Sequence, residues 1–235
     1  MSFEDKTMLV TGANRGIGRA LVEEALARGA RRVYAGTRRP LEHPDARVTP
    51  VTLDVTDLAQ IRAVADAIGE LDVLVNNAGI CNADDLGERS ALEEHLAVNL
   101  YGTYEMTKAL LPRLIASGGA VVNNVSLSAL APLPITPAYS LSKAAALSLT
   151  QAQRALLASS GVRVHAVLTG PTDTEMTEAL DIPKADPADV ARAILDAVDK
   201  GEEDIFPDPM SQMLADGWLN GVSKAFERQN AAMAR

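Results

Sequence analysis

A single cysteine, Cys81, stands in this 235-residue chain, so no internal disulfide framework can form. Nothing near it in sequence would lower its pKa, and Cys81 reads as a loop thiol rather than a nucleophile. Histidine is scarce and scattered, at His43, His95 and His165, which gives no metal-ligand spacing, and no metal site is expected. Positive charge is also in deficit. The formal net charge of -9 removes general attraction to nucleic acid or to an anionic membrane surface, and neither is expected as a partner. No apolar run is long enough to span a bilayer, and the start Met1-Ser-Phe-Glu-Asp-Lys6 has neither the basic nor the apolar region of a leader, so the expected location is the cytoplasm. Internal repeats and low-complexity linkers are missing too, and 1–235 is taken as a single domain.

What is present is a 47% hydrophobic composition in a chain long enough to bury a full core without disulfides. Short β-branched runs alternate with helical stretches from end to end, the pattern of a parallel sheet wrapped by helices. Strands are expected near 7–11, 32–36, 48–52, 71–75, 119–125, 162–168 and 203–206, and helices near 16–28, 57–68, 89–116, 138–159, 187–199 and 211–231. The implied class is α/β, a doubly wound parallel sheet of about seven strands with helices on both faces, closed by a C-terminal strand and helix over 201–235. Asp186-Pro187 reads as a helix cap followed by proline at the first helical position. In the last helix Met213, Leu214, Trp218, Leu219, Val222 and Phe226 share roughly one face. That face either packs on the domain, or roofs a substrate cleft or joins a partner subunit.

Val10-Thr-Gly-Ala-Asn-Arg-Gly-Ile-Gly18 follows the first strand and opens the first helix. In that position Gly12 supplies a tight turn, Gly16 lets backbone approach a pyrophosphate, and Gly18 permits close packing of helix on strand. The free N–H groups and positive dipole end of the helix then favour phosphate. The spacing Gly-x3-Gly-x-Gly is not the common Gly-x-Gly-x-x-Gly fingerprint. At the end of the second strand, where an NAD enzyme usually offers an acid to the ribose about 20 residues on, Val33-Tyr-Ala-Gly-Thr-Arg-Arg39 offers none. Arg38 and Arg39, with Arg15 from the turn, would neutralise a 2'-phosphate instead, so NADP is preferred over NAD and Arg38 is the leading candidate.

Two Tyr-x-x-x-Lys pairs occur, Tyr104 to Lys108 and Tyr139 to Lys143, each placing a phenol and an ammonium on one helical face. Tyr104 lies within an ordinary helical run. Tyr139 follows the apolar run Gly119–Val125, then Ser126, then a loop punctuated by Pro132, Pro134 and Pro137, the strand–loop–helix geometry in which open α/β sheets place ligands. A phenol titrates near pKa ~10 in water, and a neighbouring ammonium favours the phenolate, so Lys143 is expected to acidify Tyr139.

Taken in order, these motifs resemble the short-chain dehydrogenase/reductase family, in its shorter single-domain subgroup, over residues 5–200. Thr11–Gly18 looks like the cofactor turn, with Gly12, Arg15, Gly16, Ile17 and Gly18, and Asp54-Val55 like its adenine-side contact. Asn76-Asn-Ala-Gly79 looks like the segment after the fourth strand, with Asn76, Ala78 and Gly79 against the cofactor. Asn99, Ser126, Tyr139 and Lys143 match the catalytic positions; the thirteen-residue interval to Tyr139 selects Ser126 over Ser128. The resemblance implies a Rossmann-like fold and an NADPH-dependent hydride transfer to a ketone or aldehyde, reversibly a secondary alcohol. In it Tyr139 exchanges the proton, Ser126 hydrogen-bonds the substrate oxygen, Lys143 holds the nicotinamide ribose and Asn99 supports a water-linked proton path. The alternatives are reduction of a carrier-bound acyl group, or a non-catalytic NADP-binding sensor or scaffold. Leu168-Thr169 replaces the usual Asn-Pro before Gly170, while Gly170, Thr172 and Thr174 remain for the nicotinamide side. A homodimer or homotetramer through the helices at 89–116 and 138–159 is implied, the altered tail putting the tetramer in doubt.

Overall fold

Strand β1 (Thr7–Thr11) explains the architecture, because every one of its residues is buried. Met8 and Val10 enter one apolar cluster while Leu9 enters another, so the strand is covered on both faces and reads as an unbroken apolar run. The computed structural model describes residues 2–234. Its sheet also holds β2 (Arg32–Thr37), β3 (Val48–Thr52), β4 (Val73–Asn76), β5 (Ala120–Asn124), β6 (Arg163–Val167) and β7 (Asp204–Ile205). All pairings are parallel, in the order β3-β2-β1-β4-β5-β6-β7. This is the Rossmann-like, doubly wound arrangement that the alternating pattern implied.

Helices α1 (Gly16–Ala27) and α6 (Pro187–Lys200) cover one face, placing Leu21, Val22, Ile194 and Leu195 against Met8, Val33 and Val75. Helices α2 (Leu58–Ala67) and α4 (Thr103–Ser117) cover the other through Ile61, Val64, Met106 and Leu110. Fully burying one such side chain contributes roughly 1.5–3 kcal/mol before its entropy is set against it. Local chemistry agrees with the packing. Asp57 caps α2 by accepting from Ala59 and Gln60 N–H at 2.8 and 3.2 Å, and Asp186 caps α6 just before Pro187, with Gly201 closing it at φ +78°. The strand order reverses between β1 and β4, which opens a crevice at their carboxyl ends.

Two expected helices differ from the pattern. The stretch 89–116 is α3 (Arg89–Leu96), a π-helical segment at Ala97–Gly102, and α4. The wider turn sits where Asn99 faces inward and Gly102 packs on Val55, so tightly that a Cβ there would lie 2.7 Å from Val55 Cγ2. The stretch 211–231 begins earlier and breaks: α7 (Pro209–Leu219) starts at the cap Asp208, and α8 (Val222–Ala231) follows Asn220-Gly221. Its predicted apolar face is not buried as a unit. Met213, Val222 and Phe226 stay exposed, Trp218 and Leu219 are partly buried, and the fully buried residue of α8 is Lys224. Periodicity marked a face, but Lys224, on the opposite side, found three carboxylates and turned inward. Among the described residues no helix is long and apolar enough to cross a membrane.

Candidate active site

The carboxyl end of β1 leads into the glycine turn, where Gly12 and Gly16 take φ +66° and +51°. A Cβ on Gly12 would lie 3.0 Å from Ala78 Cα, and one on Gly18 only 2.2 Å from the Gly12 carbonyl oxygen, so glycine is required for both reasons expected. Thr11 fastens the turn to the segment after β4: its Oγ1 accepts from Asn77 and Ala78 N–H, both at 2.9 Å. Asn77 returns the tie by donating to the Thr11 and Gly12 carbonyls at 3.0 and 3.3 Å. At the start of α1 the cap residue Arg15 makes no side-chain cap bond and the first turn carries no acid. Those helix N–H groups are thus offered to an external anion, the donor set a dinucleotide pyrophosphate requires. Ile17 packs on the core beneath them.

Across the crevice, Ser126, two residues beyond β5, takes extended backbone and caps a short turn at Leu127–Ala129, its Oγ accepting from Ser128 N–H at 3.1 Å. Helix α5 (Pro137–Leu157) then presents Tyr139 and Lys143 one turn apart. Lys143 Nζ lies 5.7 Å from the Tyr139 ring centre and donates to the Asn124 carbonyl at 2.8 Å. Asn99, from the π segment, accepts from Ile80 N–H at 2.9 Å, donates to Ile80 O at 3.0 Å and to Ser142 Oγ at 2.9 Å. It therefore bonds the loop after β4 to α5 at the level of the pair. A Cβ built on Gly79 would lie 3.1 Å from Asn99 Oδ1 and 3.6 Å from Lys143 Nζ, so Gly79 keeps this corner open.

The structure thus brings the glycine turn, Gly79, Asn99, Ser126, Tyr139 and Lys143 to one crevice. Residues 6–184 match the family profile described as short chain dehydrogenase. The chain belongs to the short-chain dehydrogenase/reductase family. It is 32% identical over 210 residues to the oxidoreductase UcpA of Salmonella typhimurium, covering 80% of each chain. It is 34% identical over 199 residues to a sorbitol dehydrogenase of Cereibacter sphaeroides, covering 79% of this chain and 78% of that one. Among solved structures, a short chain dehydrogenase from Burkholderia cenocepacia in complex with NADP superposes with a TM-score of 0.89 at 37% identity, covering 97% of this chain and 98% of that one. The chain is accordingly an oxidoreductase of this family.

Other expected positions are less simple. Tyr104 and Lys108 form a surface pair, the ammonium 5.5 Å from a ring that is itself exposed, with Glu105 beside it. Asn76 turns its side chain into a buried cluster, donating to Thr107 Oγ1 and Asn123 Oδ1 at 3.1 and 2.9 Å, so that its amide ties β4 to α4 and β5. Asp54 turns its carboxylate to Thr56, and Val55 is buried against Gly102. Arg38 is exposed at the end of β2, whereas Arg15 is ion-paired with Glu175. Thr172 is buried and bridges to Ala185, and Thr174 closes over Gly16, whose added Cβ would lie 2.9 Å from its Cγ2.

The electrostatics correct one expectation. Burial pushes the Tyr139 phenol up to about 12, and its interaction with Ser126 offsets this only in part. Lys143 does not acidify it here; the same burial brings the ammonium itself down to about 8, against a weaker opposing influence of Cys81. Cys81 is the loop thiol expected. It lies among Thr136, Lys143 and Asp84, and burial raises its pKa, which keeps it a thiol. His95 was missed: its ring stands edge-on to Tyr139 at 6.5 Å, bonded to Ala91 O at 2.7 Å and accepting from Asn82 N–H at 3.1 Å. Asp84 likewise receives Ala138 N–H at the start of α5. No motif announces these residues, since the site groups they face lie on α5.

A lysine held at about 8 against 10.5 binds fewer protons in the folded than in the unfolded chain between those values. Its burial cost is fully present below pH ~8 and is relieved as pH rises through the window. The parent protein should therefore gain stability from Lys143 between pH 8 and 10, and Lys143→Met should lose that rise in urea midpoints measured across the range. An unchanged slope in the variant would show that Lys143 is not the group responsible.

Proposed function

We propose that this chain is an NADPH-dependent carbonyl reductase, run reversibly as an alcohol dehydrogenase, on a small or medium ketone or aldehyde. One observation carries the reading: Ser126, Tyr139 and Lys143 converge in the crevice faced by the glycine turn. The dinucleotide, when bound, would supply or accept the hydride. Gly12, Gly16, Ile17 and Gly18 would hold its pyrophosphate, Asp54 and Val55 its adenine side, and Ala78, Gly79, Gly170, Thr172 and Thr174 its nicotinamide side. Lys143 would hold the ribose there. As charge grows on the substrate oxygen, the Ser126 hydroxyl donates a hydrogen bond to it and the Tyr139 phenol, protonated at neutral pH, delivers the proton. Asn99 keeps the loop after β4 and helix α5 in register around that transfer.

Arg38 and Arg15 meet the 2'-phosphate, which favours NADP, with NAD as the weaker alternative. The NADP complex of the Burkholderia relative supports this choice, and the sorbitol dehydrogenase supports alcohol–carbonyl chemistry. Arg38→Glu is expected to reduce the NADPH-to-NADH preference in kcat/KM at least roughly 10-fold, since one charge-assisted hydrogen bond contributes about 1.5–3 kcal/mol. An unaltered ratio would remove Arg38 from the assignment. The described residues share one sheet, which supports a single domain, and the exposed Tyr104, Ile115, Leu141 and Leu156 on α4 and α5 support a homodimer or homotetramer.

The deciding experiment is an NADPH-oxidation screen over ketones, aldehydes and acyl thioesters. Turnover of ketones or aldehydes above thioesters is expected. Preference for thioesters would point to carrier-bound acyl groups, and tight NADPH binding with no turnover anywhere would point to a non-catalytic sensor or scaffold.

A further inference from the structure

Helix α7 is bonded at its start to the Gly170 backbone and packs near its other end on the apolar cluster beside the serine turn. At its start, the buried Asp208 carboxylate accepts from Ser211 N–H at 2.9 Å with one oxygen and from Gly170 N–H at 2.7 Å with the other. Gly170 is pressed so close that a Cβ on it would lie 2.4 Å from Asp208 Oδ1. The connection continues through Thr169, whose carbonyl accepts from Leu127 N–H at 3.0 Å and whose hydroxyl donates to Asn124 Oδ1 at 2.7 Å. Asn124 O is the acceptor of Lys143. Near its other end, α7 places Trp218 on a small apolar cluster of Val125, Leu147, Ala166 and Leu168, on which Leu127, Ala129 and Leu130 of the serine turn also pack. The indole N–H donates to Asp204 Oδ2 at 2.7 Å, which fixes the ring.

From this geometry we infer that Trp218 is a positioning residue: it braces the turn at Leu127–Ala129 and so sets the place of the Ser126 hydroxyl. The inference rests on Ser126 donating to the substrate oxygen. That role is sensitive to small displacements, because a donor aimed at developing charge loses its effect when it moves by a fraction of a hydrogen-bond length. On this side the turn is held by the Leu127 N–H bond to Thr169 O and by the apolar cluster, on which Phe206 and Trp218 both pack. Ser126 Oγ is bonded to Ser128 N–H within the same turn, so its position follows the turn, and the turn lies on the cluster that Trp218 shares.

Trp218→Leu is expected to lower kcat for a responsive ketone roughly 10-fold or more, with the NADPH dissociation constant within about two-fold of the parent. In a Ser126→Ala background the same substitution should lower kcat by no more than about two-fold, because the group it positions is gone. Equal losses in both backgrounds would overturn the inference, since general damage is indifferent to Ser126. Trp218→Phe keeps a ring in place and should retain most of the parent kcat; a loss as large as that of leucine would also overturn it. Hydrogen exchange on the intact chain gives a reading without turnover. Amides over 125–131 should exchange faster in Trp218→Leu while those of β1 do not, and unchanged exchange over 125–131 defeats the brace. A parent inactive on every carbonyl would instead defeat the proposed activity, leaving the exchange result to decide the brace.

Discussion

Tyr139→Phe is expected to lower kcat for carbonyl reduction roughly 10²- to 10⁴-fold while NADPH binds within about three-fold of the parent. The substitution removes one oxygen from a ring half-buried beside His95 and Lys143, leaving the packing of α5 almost untouched. The loss should therefore fall on kcat, not on stability or cofactor affinity. The pH dependence follows from the direction of the shift. With the phenol pushed up to about 12 by burial, it is protonated throughout the neutral range, the state that donates in reduction. Alcohol oxidation needs the phenolate, so its rate should climb with pH while reduction stays level from pH 6 to 8. Steady-state rates in both directions, with NADPH and NADP, test both statements. A Phe variant that reduces a responsive ketone as fast as the parent would remove Tyr139 from the mechanism.

How much of this was readable in the sequence depends on where the partner of each residue lies. Gly12, Gly16 and Gly18 were legible because backbone conformation and close approach leave no other residue type, and the two constraints sit within one turn. Ser126, Tyr139 and Lys143 were legible because a strand end and a helix start fix their spacing. The π segment at Ala97–Gly102 was not, since a widened helical turn carries no composition of its own and its function, turning Asn99 inward, depends on Ile80 and Ser142. Asp84 and His95 escaped for the same reason: the site groups they meet, Ala138 N–H and the Tyr139 ring, arrive on α5. The acidification of Tyr139 by Lys143 failed on a different point. Helical spacing places the two groups together, but the desolvation that dominates both follows from the tertiary burial around them.

Lys224→Met should destabilise the fold by roughly 2–4 kcal/mol, because it removes the cation from a buried cluster and leaves the anions. Lys224 is fully buried, with Nζ at 2.8 Å from Asp204, 2.9 Å from Glu227 and 3.0 Å from Glu203. Arg154 stays with Asp204 and Glu227, both at 2.6 Å, and Glu203 is part-exposed, which is why the expected loss is below that of an isolated buried pair. Methionine fills the same length, so the effect reports charge and not a cavity. Burial pushes the Asp204 and Glu203 carboxyls upward, but the neighbouring cations outweigh it and hold both below their ordinary values of 3.8 and 4.5. Carboxyls held low contribute stability that is present above those values and is lost as pH falls through the lower folded ones. Without Lys224 they protonate at higher pH, and the acid unfolding midpoint should move upward. Trp218, the one tryptophan of the chain, is hydrogen-bonded to Asp204 and reports this directly in fluorescence. Unfolding curves in urea and in acid that coincide for parent and variant would mean that the cluster at the base of α8 contributes nothing net, and that α7 and α8 are held by Trp218 with its apolar neighbours and by the bond from Gly170 N–H to Asp208.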